Sequence, residues 1–136
     1  MYAGHLSRNA VKGVGSPMET TASVLTALVA ALHAYILVLE MFLWQKPPGR
    51  SLSGFDAELA RATAPLAANQ GLYNGFLAGG LIWGLWLGDP GFAVKVFFLA
   101  CVIVAGAFGA ATASTKILYI QALPAALALT ALLLGI

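Results

Sequence analysis

Four apolar runs, each about as long as a bilayer core is thick, occupy most of this 136-residue chain. A helix crossing ~30 Å of hydrocarbon needs about 20 apolar residues at about 1.5 Å rise each. The runs extend from about Thr21 to Trp44, Ala64 to Leu87, Phe92 to Ala113 and Ile117 to Ile136. Backbone polar groups in lipid must be satisfied internally, which leaves helices or closed barrels. These runs are too long, and lack the two-residue alternation, for barrel strands. The expected fold is therefore all-α, an integral membrane four-helix bundle. Charge agrees with this. Only 9% of residues are charged, against roughly 25% in an ordinary soluble domain. A soluble protein this small could not solvate its large surface with so few.

The breaks between runs have chemical causes. Lys46, Pro47, Pro48, Gly49 and Arg50 end the first with prolines and charge. Gly88, Asp89, Pro90 and Gly91 make a tight turn, and Thr112, Ser114, Thr115 and Lys116 mark the third break. That last turn is short, so spans three and four form an antiparallel hairpin. Residues 1–17 differ from the rest and read as a disordered polar arm with Arg8 and Lys12; residues 18–136 form one transmembrane domain. The apolar run after the arm is too long for a signal h-region, so the first span is retained, and Met18 is an alternative start. The loop 45–63 carries Phe55 and Leu59 four apart among charges. It reads either as a short interfacial helix capped by Ser53 or as a solvated loop.

The Lys/Arg bias sets orientation. Lys46, Arg50, Arg61 and Lys116 lie on one side, and Lys95, with Arg8 and Lys12 in the arm, on the other. The 45–63 loop and the 114–116 turn are thus placed in the cytoplasm and both termini outside, as a multi-pass membrane protein. Seven scattered basic residues form no dense run, so nucleic acid is not an expected partner. The single cysteine, Cys101, excludes an intramolecular disulfide and reads as a small core hydrophobe.

Ionisable groups inside a membrane are functional candidates by default. Two are counted, His33 and Glu40, both on span one and seven residues apart. They share a helix face about 10 Å apart along the axis, with Thr26 and Trp44 on the same stripe. Counting depth from the cytoplasmic ends brings Asn69 and Gln70 of span two and Gln121 of span four level with Glu40. Tyr73 and Asn74 lie one turn deeper. The expected pocket is therefore lined by Glu40, His33, Trp44, Asn69, Gln70, Tyr73, Asn74 and Gln121. Each member has a plain structural reading beside the functional one. Glu40 is a snorkelling or paired carboxylate, or a carrier of a proton or cation. His33 is a neutral imidazole bonded to Tyr73 or Asn74, or a functional group. The amides and Tyr73 are interhelical glue, or ligands. Gly71, Gly75 and Gly79 fall on one face of span two and Gly80, Gly84 and Gly88 on another, so span two should be packed on both sides. Gly106 and Gly109 invite similar packing on span three, and Pro124 should kink span four beyond Gln121. There is no phosphate loop and no paired-cysteine metal motif, so neither metal nor cofactor is expected.

Three segments carry a resemblance. They are His33-Ala-Tyr-Ile-Leu-Val-Leu-Glu-Met-Phe-Leu-Trp44 with Pro48-Gly49, Leu66-Ala-Ala-Asn-Gln-Gly-Leu-Tyr-Asn-Gly-Phe-Leu77, and Lys116-Ile-Leu-Tyr-Ile-Gln121 with Pro124. Together they resemble the signatures of a small bacterial membrane family catalogued as domain of unknown function 1304. The resemblance runs from about Thr20 to the end and implies a four-span membrane protein with no established activity. Some members carry a provisional epimerase label.

Three functions compete. The leading one is transport or binding of a small amphiphilic or cationic molecule, proton-coupled through Glu40, with a homodimer enclosing the path. The second is an isomerase or epimerase on a lipid-like substrate, with Glu40 as acid/base, His33 or Tyr73 as its partner, and Asn69, Asn74 and Gln121 orienting. The third is an accessory membrane protein without a ligand, its polar cluster stapling the bundle.

Overall fold

The computed structural model describes residues 17–136. The order is α1 (Pro17–Phe42), α2 (Pro47–Ser53), α3 (Ala57–Leu87), a 3₁₀ turn (Asp89–Gly91), α4 (Phe92–Thr112), a π turn (Leu118–Ala122) and α5 (Leu123–Leu134). The described residues contain no strand, so the fold is all-helical. The polar arm, with Arg8 and Lys12, lies outside the described residues except for Pro17, the first residue of α1.

Element ends follow from local chemistry. Pro47 and Pro48 terminate α1 and also open α2, because a helix's first turn needs no N–H from them. Gly54, at φ 73°, closes α2 in the left-handed region, its N–H bonded to the Arg50 carbonyl at 2.8 Å. Ser53 is not a helix start. It is the last residue of α2, and its hydroxyl donates to the Arg50 carbonyl at 3.3 Å. The cap belongs to Asp56, whose Oδ1 accepts from the Leu59 N–H at 2.8 Å. That cap starts α3 at Ala57, seven residues before the expected Ala64, and the helix continues through Pro65. The fourth run is not a uniform helix. At its start the Leu123 N–H reaches back to the Leu118 carbonyl, five residues away, in a π turn. Pro124, which lacks an N–H, falls in the first turn of α5, where none is needed. The irregularity expected beyond Gln121 therefore lies around it.

α3 packs against α1 on one side and α4 on the other, and α5 with the π turn closes the ring between α1 and α4. Small residues permit this. A Cβ on Gly71 would lie 2.7 Å from Met41 Cγ and 3.0 Å from Glu40 Cβ, both on α1. On the other face, a Cβ on Gly84 would lie 2.7 Å from Lys95 Cγ of α4. Gly79 and Gly88 of the two expected sets meet no neighbour. On α4, a Cβ on Gly106 would come within 2.8 Å of the Ala122 backbone nitrogen, so the π turn lies directly on α4. The core between them is Val29, Ala30, Leu81, Leu99, Val102, Ala125 and Ala128.

Two helical stretches, Thr20–Phe42 and Asp89–Thr112, are long and apolar enough to cross a membrane, where the sequence suggested four. Asn69, Gln70, Asn74 and the glycines dilute α3, and Leu118–Leu134 is shorter.

Candidate functional site

The polar residues of α1 fall on its inward stripe. Thr26 and His33 are fully buried and Glu40 is half-buried. Each of the latter two finds an amide on a different helix. Glu40 Oε2 accepts from Asn74 Nδ2 of α3 at 2.8 Å. Asn74 also bonds back to the Gln70 carbonyl at 3.2 Å, which fixes its side chain. His33 Nδ1 lies 2.8 Å from the Val29 carbonyl, one turn back. A carbonyl only accepts, so Nδ1 carries the proton and Nε2 is the acceptor. Gln121, on the π turn, offers its Nε2 to that acceptor at 3.3 Å. Thr26 continues the stripe, its buried hydroxyl without a partner among the described residues.

The cluster expected from depth is thus divided. Glu40, His33, Asn74 and Gln121 enter the interior as two separate pairs, one layer above the other. The acid and the imidazole are not partners, and His33 bonds neither Tyr73 nor Asn74. Asn69, Gln70 and Tyr73 do not join the cluster. All three are exposed on α3, where the Tyr73 ring lies 6.1 Å from that of Phe76. The buried face of α3 explains the split. It runs Ala60, Ala67, Gly71, Asn74, Ala78, Leu81, a stripe of small residues at alternating three- and four-residue spacing. Asn74 is on that stripe and the other three are not. Trp44 also belongs elsewhere. Its indole N–H donates to Thr63 Oγ1 at 3.0 Å and its ring meets Phe55 edge-on at 5.9 Å, tying the turn after α1 to α3 and to the segment before it.

Among the described residues Glu40 holds one oxygen to Asn74, leaves the other without a partner and pairs with no cation. Such a carboxylate can take a proton or a cation. No group of three or more His, Cys, Asp or Glu suited to a metal occurs among the described residues.

One charged residue was misassigned by the sequence reading. Lys95 counts there as a loop-side charge, yet it is 9% exposed inside the first turns of α4. It falls within the expected third span, and Gly84 faces it, so it is a third interior ionisable group beside His33 and Glu40. Around it lies a cleft of about 360 Å³, at the bundle end remote from Glu40.

These features define an all-helical protein with buried amide–carboxylate and amide–imidazole pairs joining its helices. The chain belongs to the family described as Protein of unknown function (DUF1304), whose profile matches residues 27–133. It is similar to uncharacterized protein YpaA of Lactococcus lactis subsp. lactis (strain IL1403), with 32% identity over 108 residues, 78% of this chain and 91% of that protein. No solved structure matches it.

Proposed function

We propose that this chain is a four-span integral membrane protein that binds and carries a small amphiphilic or cationic molecule at Glu40, with a proton as the coupling ion. The membrane part is supported by surface chemistry. Only 33% of the apolar window in Thr20–Phe42 and 28% of that in Asp89–Thr112 is buried within the protein. A soluble core helix would be mostly buried. Large side chains such as Trp86, Val104 and Phe108 are more than two-thirds exposed, an apolar surface that water would not tolerate and lipid would. At 26, 31 and 21 residues, α1, α3 and α4 measure at least about 30 Å, the thickness of the hydrocarbon core. The outward termini are supported by the Lys/Arg bias, and the inner-membrane location by the resemblance to small bacterial membrane proteins.

The observation that carries the binding reading is Glu40 itself. It is half-buried, held at one oxygen by Asn74, and free of any cation of the described residues. An acid placed so is ready for an exchangeable positive charge. Asn69, Gln70 and Tyr73, which face outward, support a homodimer, because amides turned to lipid gain from a second copy's hydrogen bonds. The test is tetraphenylphosphonium binding to the purified protein in detergent. The expected result is saturable binding with release of protons, lost in Glu40→Gln. Equal binding by Glu40→Gln, or no binding by the wild type, refutes the reading.

A second reading is favoured by the cross-helix pairs. With His33 bonded to Gln121 and Glu40 to Asn74, the polar groups act as staples for an accessory membrane protein. It predicts that Glu40→Gln and Asn74→Leu lower thermal stability while no ligand shifts it. A ligand shift that Glu40→Gln removes would count against it.

A further inference from the structure

The bundle end remote from Glu40 holds a different kind of site. The start of α1, the turn from α3 into α4 and the end of α5 enclose a cleft of about 360 Å³, within the range of small-molecule sites. Its apolar walls include Leu85, Phe92 and Leu132, and its polar groups include Ser23, Asp89 and Lys95. Lysines near helix ends normally snorkel, keeping the ammonium in water. Lys95 does not. It is 9% exposed, and its only bond among the described residues is a long one, 3.5 Å from Nζ to the Gly88 carbonyl. Nζ has three donors, and no carboxylate of the described residues lies within ion-pair distance. Asp89 lines the same cleft but is exposed, so water screens its charge. Gly84 is what admits Lys95, since a Cβ there would meet the Lys95 stem at 2.7 Å.

A buried, under-partnered ammonium beside apolar walls calls for an anion with a hydrocarbon body. We propose that this cleft binds the oxyanion head of an amphiphile, a phosphate or carboxylate seated on Lys95 with its apolar part against Leu85, Phe92 and Leu132. This site is independent of Glu40. The head belongs either to a membrane lipid or to a free amphiphilic acid.

The experiment is thermal unfolding of the full chain in dodecyl maltoside with four probes: phosphatidylglycerol, phosphatidylcholine, laurate and inorganic phosphate. Phosphatidylglycerol or laurate raises Tm, and phosphatidylcholine and inorganic phosphate raise it less. A larger effect of phosphatidylglycerol identifies a lipid source, and a larger effect of laurate a free acid. Lys95→Arg keeps the shift. Lys95→Met lowers the apparent affinity about tenfold or more, as expected when a charge-assisted contact is lost. Should Lys95→Met fail to fold, Leu132→Trp fills the cleft with the lysine intact and must also lose the shift. The proposal is overturned by an undiminished shift in the folded Lys95→Met or in Leu132→Trp. It is equally overturned by equal shifts with phosphatidylcholine or inorganic phosphate, or by no shift at all.

Discussion

Replacing Gln121 by Leu isolates the bond that ties the fourth helical run to α1. His33 is fully buried, with Nδ1 committed to Val29, and Gln121 is the only partner of its Nε2 among the described residues. Leu occupies nearly the volume of Gln, so packing changes little, but the acceptor is orphaned away from water. An orphaned buried group costs about 1–3 kcal/mol. Polar pairs between membrane helices couple by about 0.6–2 kcal/mol. Gln121→Leu should therefore destabilise by about 1–2 kcal/mol, and His33→Leu by about 1–3 kcal/mol. The double variant removes both polar groups together and should recover about 1 kcal/mol relative to the sum, close to a fivefold change in the unfolding equilibrium. The assay is reversible unfolding in mixed micelles with increasing dodecyl sulfate, followed by tryptophan fluorescence. Additivity of the two single variants within ~0.5 kcal/mol would mean that the pair is not coupled. The tautomer reasoning would fall with it.

Gly79→Ala should stabilise by about 0.5–1 kcal/mol, since nothing lies within 4 Å and alanine is the better helix former. Gly106→Ala should destabilise by about 1–3 kcal/mol because its Cβ meets the Ala122 backbone; the same unfolding titration compares the two. Gly71→Ala pushes α3 from α1 beside Glu40 and should both destabilise by about 1–3 kcal/mol and weaken tetraphenylphosphonium binding, measured by equilibrium dialysis. Asp56→Ala removes the cap of α3 and should cost about 0.5–2 kcal/mol, with Asp56→Ser recovering most of it. Tyr73→Phe should leave monomer stability within about 0.5 kcal/mol, because its hydroxyl is not part of the interior cluster.

Much of the architecture was legible because it depends on one-dimensional signals. Run length and the proline, glycine and charge breaks locate the long helices to within a few residues. The exception is the start of α3, where the cap at Asp56 extends the helix backward through Pro65. Proline tolerance explains that error. A proline about two turns into an exposed helix end interrupts a single backbone bond, and the early cap compensates. The glycines of span two also carried their message. Gly71 and Gly75 pack on α1 and Gly80 and Gly84 on α4, so the two faces read from spacing are two real contacts.

Depth and rotation are separate coordinates, and depth alone joins the α3 amides and Tyr73 to the expected pocket. Counting turns from the loops brings Asn69, Gln70 and Gln121 level with Glu40 and Tyr73 and Asn74 one turn deeper, yet it is Asn74 that pairs with Glu40 and Gln121 that pairs with His33. Rotation decides among them, and its signal was present. Asn74 lies in step with Ala67, Gly71, Ala78 and Leu81, the residues small enough to meet a neighbouring helix, whereas Asn69 and Tyr73 are in step with Leu66, Phe76 and Trp83 on the exposed face. The small-residue stripe is thus a better guide to an interior amide than depth. Gln121 was harder, because the π turn shifts the register of the fourth run and no regular helical wheel predicts which face it presents. Lys95 was missed for the opposite reason. Its charge suggested a loop-side position, yet the glycine that faces it across α3 and α4 provides the space for its stem. Applied to α1, the same rule yields both pairs: a small residue beside Glu40 at Gly71 and a close-packed π turn beneath Gln121 at Gly106. Gly71 and Gly84 face Glu40 and Lys95, and the two candidate sites lie at opposite ends of the packing that these glycines permit.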